Sequence, residues 1–163
     1  MIHSDGFACI SIPKGEGEYS MSTRLTEYQK KYPNAQVWAF GDSPELADEL
    51  VDLVLKGRKT ATCSAVSAYE NGEEAPVPGG YSIILNGGGT PVCVIQTLSL
   101  ITLKFSQVSA DQARKEGEGD LSLSYWRREH QIFFERNGEF SEDMPLIFEE
   151  FMLVERIPQE DNL

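Results

Sequence analysis

Apolar residues recur at helical spacing from Ser22 onward. Leu25, Tyr28 and Tyr32 share one face until Pro33 stops the run, which predicts a helix over about 22–32. Before it, residues 1–21 are rich in Gly, Ser and charge, and one apolar patch from Phe7 to Ile12 predicts a short strand in a loose terminus. Val37 to Phe40 reads as a strand. Ser43, Pro44 and Glu45 then make the clearest helix start in the chain. Serine suits the N-cap, proline the first helical position, and an acid the positive end of the helix dipole. Leu46, Leu50, Leu53 and Val54 follow on one face, and Gly57 ends the helix.

Past Gly57 the pattern changes to that of a strand, over residues 59–66. Residues 70–80 are turn-rich. Tyr81 to Leu85, the turn Asn86-Gly87-Gly88-Gly89 and the long β-rich run from Pro91 to Phe105 predict a hairpin. Ala110 to Glu116 predicts a short helix broken by Gly117-Glu118-Gly119. A second helix runs from about Leu121 to Arg136, capped by Asp120 or Ser122, with Trp126, His130, Phe133 and Phe134 along one stripe. Ile147 to Ile157 closes the chain as a strand. Helices and strands mix without βαβ regularity, which argues for an α+β fold: a small curved sheet or barrel dressed with helices.

Composition narrows the partners. The 163 residues suit one domain, and the net charge of −12 opposes a long, sequence-blind grip on duplex nucleic acid, which depends on neutralising phosphates. It does not exclude a small nucleotide-sized ligand. The charge is uneven: residues 137–163 carry eight acids and one base, residues 105–136 carry six acids and five bases, and Lys56, Arg58 and Lys59 make 56–59 locally basic. No apolar run approaches the length of a membrane span, and the first residues lack the basic and apolar regions of a secretion signal, so a cytoplasmic location is expected. Cys9, Cys63 and Cys93 are dispersed, with no Cys-x-x-Cys pair and two histidines in the chain. Neither a disulfide framework nor a Cys/His zinc site is expected, and nothing in these motifs asks for a metal or a cofactor.

Three features carry candidate chemistry: Gly57-Arg58-Lys59-Thr60-Ala61-Thr62, the acidic loop Glu116-Gly117-Glu118-Gly119-Asp120, and the Trp126/His130/Phe133/Phe134 stripe. A threonine hydroxyl is a weak nucleophile until a base takes its proton, and a lysine near another cation can serve. Each feature also has a plainer reading: cations at a helix C-terminus, carboxylates at a helix N-terminus, a histidine at the core edge, aromatic core packing. Geometry adds a condition. Residues 59 and 62 point to opposite faces of a regular strand, so they converge only if Lys59 belongs to the turn and the strand begins at about Thr60 or Ala61.

Read together, Gly57 to Thr62 and the run Glu116-Gly117-Glu118-Gly119-Asp120-x-Ser122-Leu123-x-x-Trp126-x-x-x-His130-x-x-Phe133-Phe134 resemble the ASCH domain family, which is similar in fold to the PUA domain. The resemblance covers about residues 37–157 and points to a bacterial stand-alone member of a longer subgroup. Residues 1–36 would be an N-terminal extension and 158–163 an acidic tail. It implies a small PUA-like β-barrel flanked by helices, with a cleft that takes RNA or a nucleotide. One branch hydrolyses the amide of N4-acetylcytidine with a lysine, a threonine and a downstream glutamate. By motif position these are Lys59 as base, Thr62 as nucleophile and Glu116, with Glu118 competing for the third role. Arg58 and Ser64 would contact ribose or the acyl oxygen, and Trp126 a base. The alternative is an RNA-binding module or ribonuclease that uses the same cationic cleft, with single-stranded RNA as partner.

Overall fold

The computed structural model describes residues 23–159 and the backbone of Ile10 and Ser11. Six strands, β1 (Ile10–Ser11), β2 (Gln36–Ala39), β3 (Ala61–Ala65), β4 (Tyr81–Leu85), β5 (Pro91–Lys104) and β6 (Pro145–Arg156), form one sheet in the order β1-β2-β4-β5-β6-β3. Among the described residues five α-helices flank it: α1 (Thr23–Lys31), α2 (Pro44–Leu55), α3 (Val66–Glu70), α4 (Ala110–Glu116) and α5 (Leu123–Arg136). The β4–β5 hairpin and the β5–β6 and β3–β6 pairings are antiparallel, whereas β2 runs parallel to β4. The fold is α+β, and the sheet curls into a half-barrel.

β5 bends the sheet. Its register against β6 shifts between Val94 and Ile95 and again between Thr97 and Ser99, and such bulges kink a strand and increase its twist. Inside the curl, Leu50, Val51 and Val54 of α2 and Trp126, Phe133 and Phe134 of α5 join the main core with Phe40, Ile95, Phe148 and Phe151, while Ala47 packs with Ala39 and Leu85. The alternate sheet residues Ile83 and Val94 pack with Leu25 of α1 and Ile157.

Most predicted elements appear, with boundary changes that have local causes. The strand foreseen over 59–66 is shorter, and Val66–Glu70 turns into α3, a five-residue helix whose N-cap, Ala65, has no side chain to bond. Helix α5 starts at Leu123 because Leu121 has a left-handed φ of 69°, which no helix accommodates. Ser122, rather than Asp120, is the cap, accepting the Tyr125 N–H, while Asp120 accepts from Ser122 N at 2.9 Å. Of the strand foreseen at Phe7–Ile12 only Ile10 and Ser11 are described. Cys9, the start of the extension and residues 160–163 lie outside the described residues.

The start of α2 is as its sequence predicts, with Ser43 Oγ accepting the Leu46 N–H at 3.1 Å. Ser43→Ala leaves that donor without its partner and costs about 1 kcal/mol. The expected readout is a lower urea midpoint with unchanged slope.

Candidate functional site

Gly57 ends α2 with φ +75°, and Arg58 and Lys59 both donate N–H bonds to Leu53 O at 2.9 and 3.1 Å. Thr60 N donates to Lys115 O at 2.8 Å, and Phe151 N donates to Thr60 O at 3.0 Å. The turn is thereby fastened between α4 and β6. β3 begins at Ala61, so Lys59 belongs to the turn and the condition set by strand geometry is met. Arg58 stays exposed on that turn, whereas Lys59 is 2% exposed and its side chain reaches the end of α4.

There the sequence brings four ionisable groups together. Lys59 Nζ lies 3.6 Å from Glu116 Oε1, 4.0 Å from Glu118 Oε1, and donates to the Glu116 carbonyl at 3.3 Å. Its ammonium also sits 5.6 Å from the Phe40 ring centroid, a cation–π contact. Glu116 is fully buried and accepts from Cys63 N at 3.2 Å and from the Trp126 indole N–H. His130 Nε2 is 3.6 Å from Glu116 Oε2 and 4.0 Å from Glu118 Oε2, while Nδ1 donates to Trp126 O at 2.9 Å. Burial alone would raise the Glu116 pKa, but the charges of His130 and Lys59 and the hydrogen bonds it accepts hold it at about 2. For His130 burial pulls the other way, and Glu116 overcomes it, so the imidazole pKa is raised. Glu118, where burial outweighs the two cations and Glu116 adds repulsion, is shifted upward.

Thr62 is also buried, yet its hydroxyl has no hydrogen-bond partner among the described residues, so it is not bonded to Lys59 or Glu116. Ser64 is committed to Tyr69, with the two hydroxyls 2.5 Å apart. Trp126 does not lie where a base could stack on it. It is 2% exposed, with its ring parallel to His130 at a centroid distance of 4.1 Å, and its position between α4 and the core makes it a wall of the cluster. Of the expected residues, Lys59, Glu116 and Glu118 converge, Trp126 bonds Glu116 from the core side, Thr62 and Ser64 lie on the adjoining strand, and Arg58 stays exposed on the turn. Sequence reasoning left His130 without a partner and passed over Glu149. His130 stands four residues after Trp126, so both share the helix face turned to Glu116, and that spacing was a usable signal.

A cleft of about 290 Å³ opens beside this cluster between α2 and α5, lined by Glu49, Glu118, Tyr125, Glu129, His130 and Arg136 among others. Arg136 is paired with Asp42 at 2.6 Å, so the cleft is acidic in character. It is small, and it repels anions. Cys63, Glu116 and His130 each offer a ligand atom within 4.8 Å of one another. The Glu116 carboxylate, however, already accepts the Cys63 and Trp126 N–H groups and faces the Lys59 ammonium, so a metal ion there would have to displace donors and sit beside a fixed cation. The donor set does not suit one.

An ASCH domain model matches residues 36–155. The chain is similar to the crystal structure of an ASCH domain from Lactobacillus crispatus JV V101, with 34% identity over 88% of this chain and 99% of that one and a TM-score of 0.74. It is also similar to a protein of Enterococcus faecalis V583, with 35% identity over 81% and 86% of the two chains and a TM-score of 0.71. No curated protein matches at a significant level.

Proposed function

The chain belongs to the ASCH domain family, and from that premise we propose that it hydrolyses the amide of a modified pyrimidine nucleoside of the N4-acetylcytidine type. The observation that carries this reading is the small acidic cleft ending on Glu118 and His130 of the Lys59 cluster. Its volume suits one small molecule, and its carboxylates favour an uncharged ligand with hydroxyl and amide hydrogen-bond donors over one bearing phosphates. In this reading Thr62 attacks the acyl carbon, Lys59 supplies the positive charge that activates it, and Glu116 holds Lys59 in place. Arg58 and Ser64, on the same turn and strand, are the groups assigned to contact ribose or the acyl oxygen.

The cations that a bound RNA strand would need give less support to the alternative. Lys56 is paired with Asp52 at 2.6 Å and Arg128 with Glu129 at 3.3 Å. The deciding measurement is release of acetate from N4-acetylcytidine by the full chain. Lys59→Ala is expected to lower turnover by about 100-fold or more. Equal turnover in the two proteins removes the assignment, and salt-sensitive binding of single-stranded RNA without acetate release favours the RNA reading.

A further inference from the structure

Resting on that reading, we propose that Glu149, rather than Lys59, is the group that takes the Thr62 proton, with Thr97 aiming its carboxylate. Thr62 and Glu149 are direct cross-strand partners in the β3–β6 pair. Opposed residues of an antiparallel pair project to the same face with Cβ atoms about 5 Å apart, within reach of a glutamate side chain. Both are buried, at 2% and 5% exposure. The Thr62 hydroxyl has no partner among the described residues, and a buried hydroxyl without one is a group awaiting a bond. Glu149 Oε1 accepts from Thr97 Oγ1 at 2.6 Å, a bond that fixes the carboxylate from the β5 side. Thr97 stands at the bulge that bends β5, so the curl of the sheet is what brings it to Glu149. Lys59 is already engaged as a cation by Glu116 and Glu118, which leaves it a donor's role.

The chemistry closes without an added reactant other than water. Thr62 Oγ1 bonds to the acyl carbon as its proton passes to Glu149, the C–N bond breaks, and the amine departs with that proton. Water then attacks the acyl-Thr62 ester and gives a proton to Glu149. Glu149 returns it to Thr62 Oγ1 as the carboxylic acid leaves. Burial raises the Glu149 pKa, and the Thr97 hydrogen bond and the charge of Lys59 oppose that rise. A carboxylate raised toward neutrality is a better proton acceptor than an ordinary one.

The test uses p-nitrophenyl acetate as an acyl donor, so it does not depend on the natural substrate. Mass spectrometry is expected to find acetyl on Thr62 of the unaltered chain, and Glu149→Gln to slow that acetylation by about 100-fold or more. Equal rates, or no acetyl on Thr62, overturn the proposal. Thr97→Val gives a second reading that a merely structural role would not move. With the bond that lowers the Glu149 pKa removed, the acid limb of the acetylation rate moves to higher pH, and an unmoved limb overturns the assignment. If acetylation depends on Glu149 but N4-acetylcytidine releases no acetate, the substrate reading fails and this one stands. If acetate is released at full rate by Glu149→Gln, the reverse holds.

Discussion

Glu116→Ala is expected to cost about 4 kcal/mol of folding stability, because removing one partner of a buried ion pair strands the other. Here it strands more than one: Lys59 and His130 keep their positions with no Glu116 charge beside them, and the Cys63 and Trp126 N–H groups lose their acceptor. Urea unfolding at neutral pH, followed by the fluorescence of Trp126 against that carboxylate, measures the loss. A cost under about 1 kcal/mol would mean that the cluster does not hold the fold. The pH dependence has a defined sign. Glu116 has its pKa lowered from 4.5 to about 2, so its contribution is fully present above the unfolded value and is lost as pH falls toward 2. The shift corresponds to about 3 kcal/mol. Glu118 and Glu149, both raised, lose stability in the opposite direction, as pH rises past 4.5. The Glu116 part is therefore read as the difference between the unaltered chain and Glu116→Gln from pH 5 down to pH 2. His130, raised from 6.5, stabilises fully below that value and less as pH climbs through its folded pKa.

Gly117→Ala should be nearly as damaging, although it removes no contact. Gly117 has φ +75°, and a Cβ there would stand 2.3 Å from Arg58 O and 2.8 Å from Lys59 N, both backbone atoms. The left-handed conformation alone costs about 1–2 kcal/mol for an alanine, and the overlap forces the Arg58–Lys59 turn away from α4. A total of about 4 kcal/mol is expected, in the range that marks a named defect rather than an ordinary substitution. Gly57→Ala is the matched control, with the same φ of +75° and nothing within 4 Å of its Cβ. It should show the conformational cost and no more. Equal urea midpoints for the two variants would show that close approach of the turn to α4 is unimportant, and a larger loss of turnover in Gly117→Ala is the accompanying expectation.

What could be read from the sequence divides along physical lines. The Ser43 cap, the α2 face and the β4–β5 hairpin were visible because their signals are local: a cap bonds three residues ahead, and a hairpin turn lies between its strands. The α3 turn was not, since five residues without a capping side chain carry no periodicity. Nor was the parallel β2–β4 pair, because nothing local distinguishes it from an antiparallel one. In the site, Lys59, Thr62, Glu116 and Glu118 were legible as motif positions. The pairing of Thr62 with Glu149 was not, for it depends on how a late strand returns to an early one, and the ion pairing of His130 with Glu116 depends on how α5 folds back on α4. Trp126 was left open between ligand contact and core packing, because an aromatic stripe reads the same in either case.

β3 has all five of its residues buried and, among the described residues, pairs only with β6, the last strand described. On a ribosome, then, this segment and the amine beside it wait through most of synthesis with nothing to hold them. The bond from Lys59 to the end of α4 alone spans 57 residues. A nascent chain cut short before residue 145 would present a bare, apolar, pairing-competent edge, and quality control would have that edge to recognise.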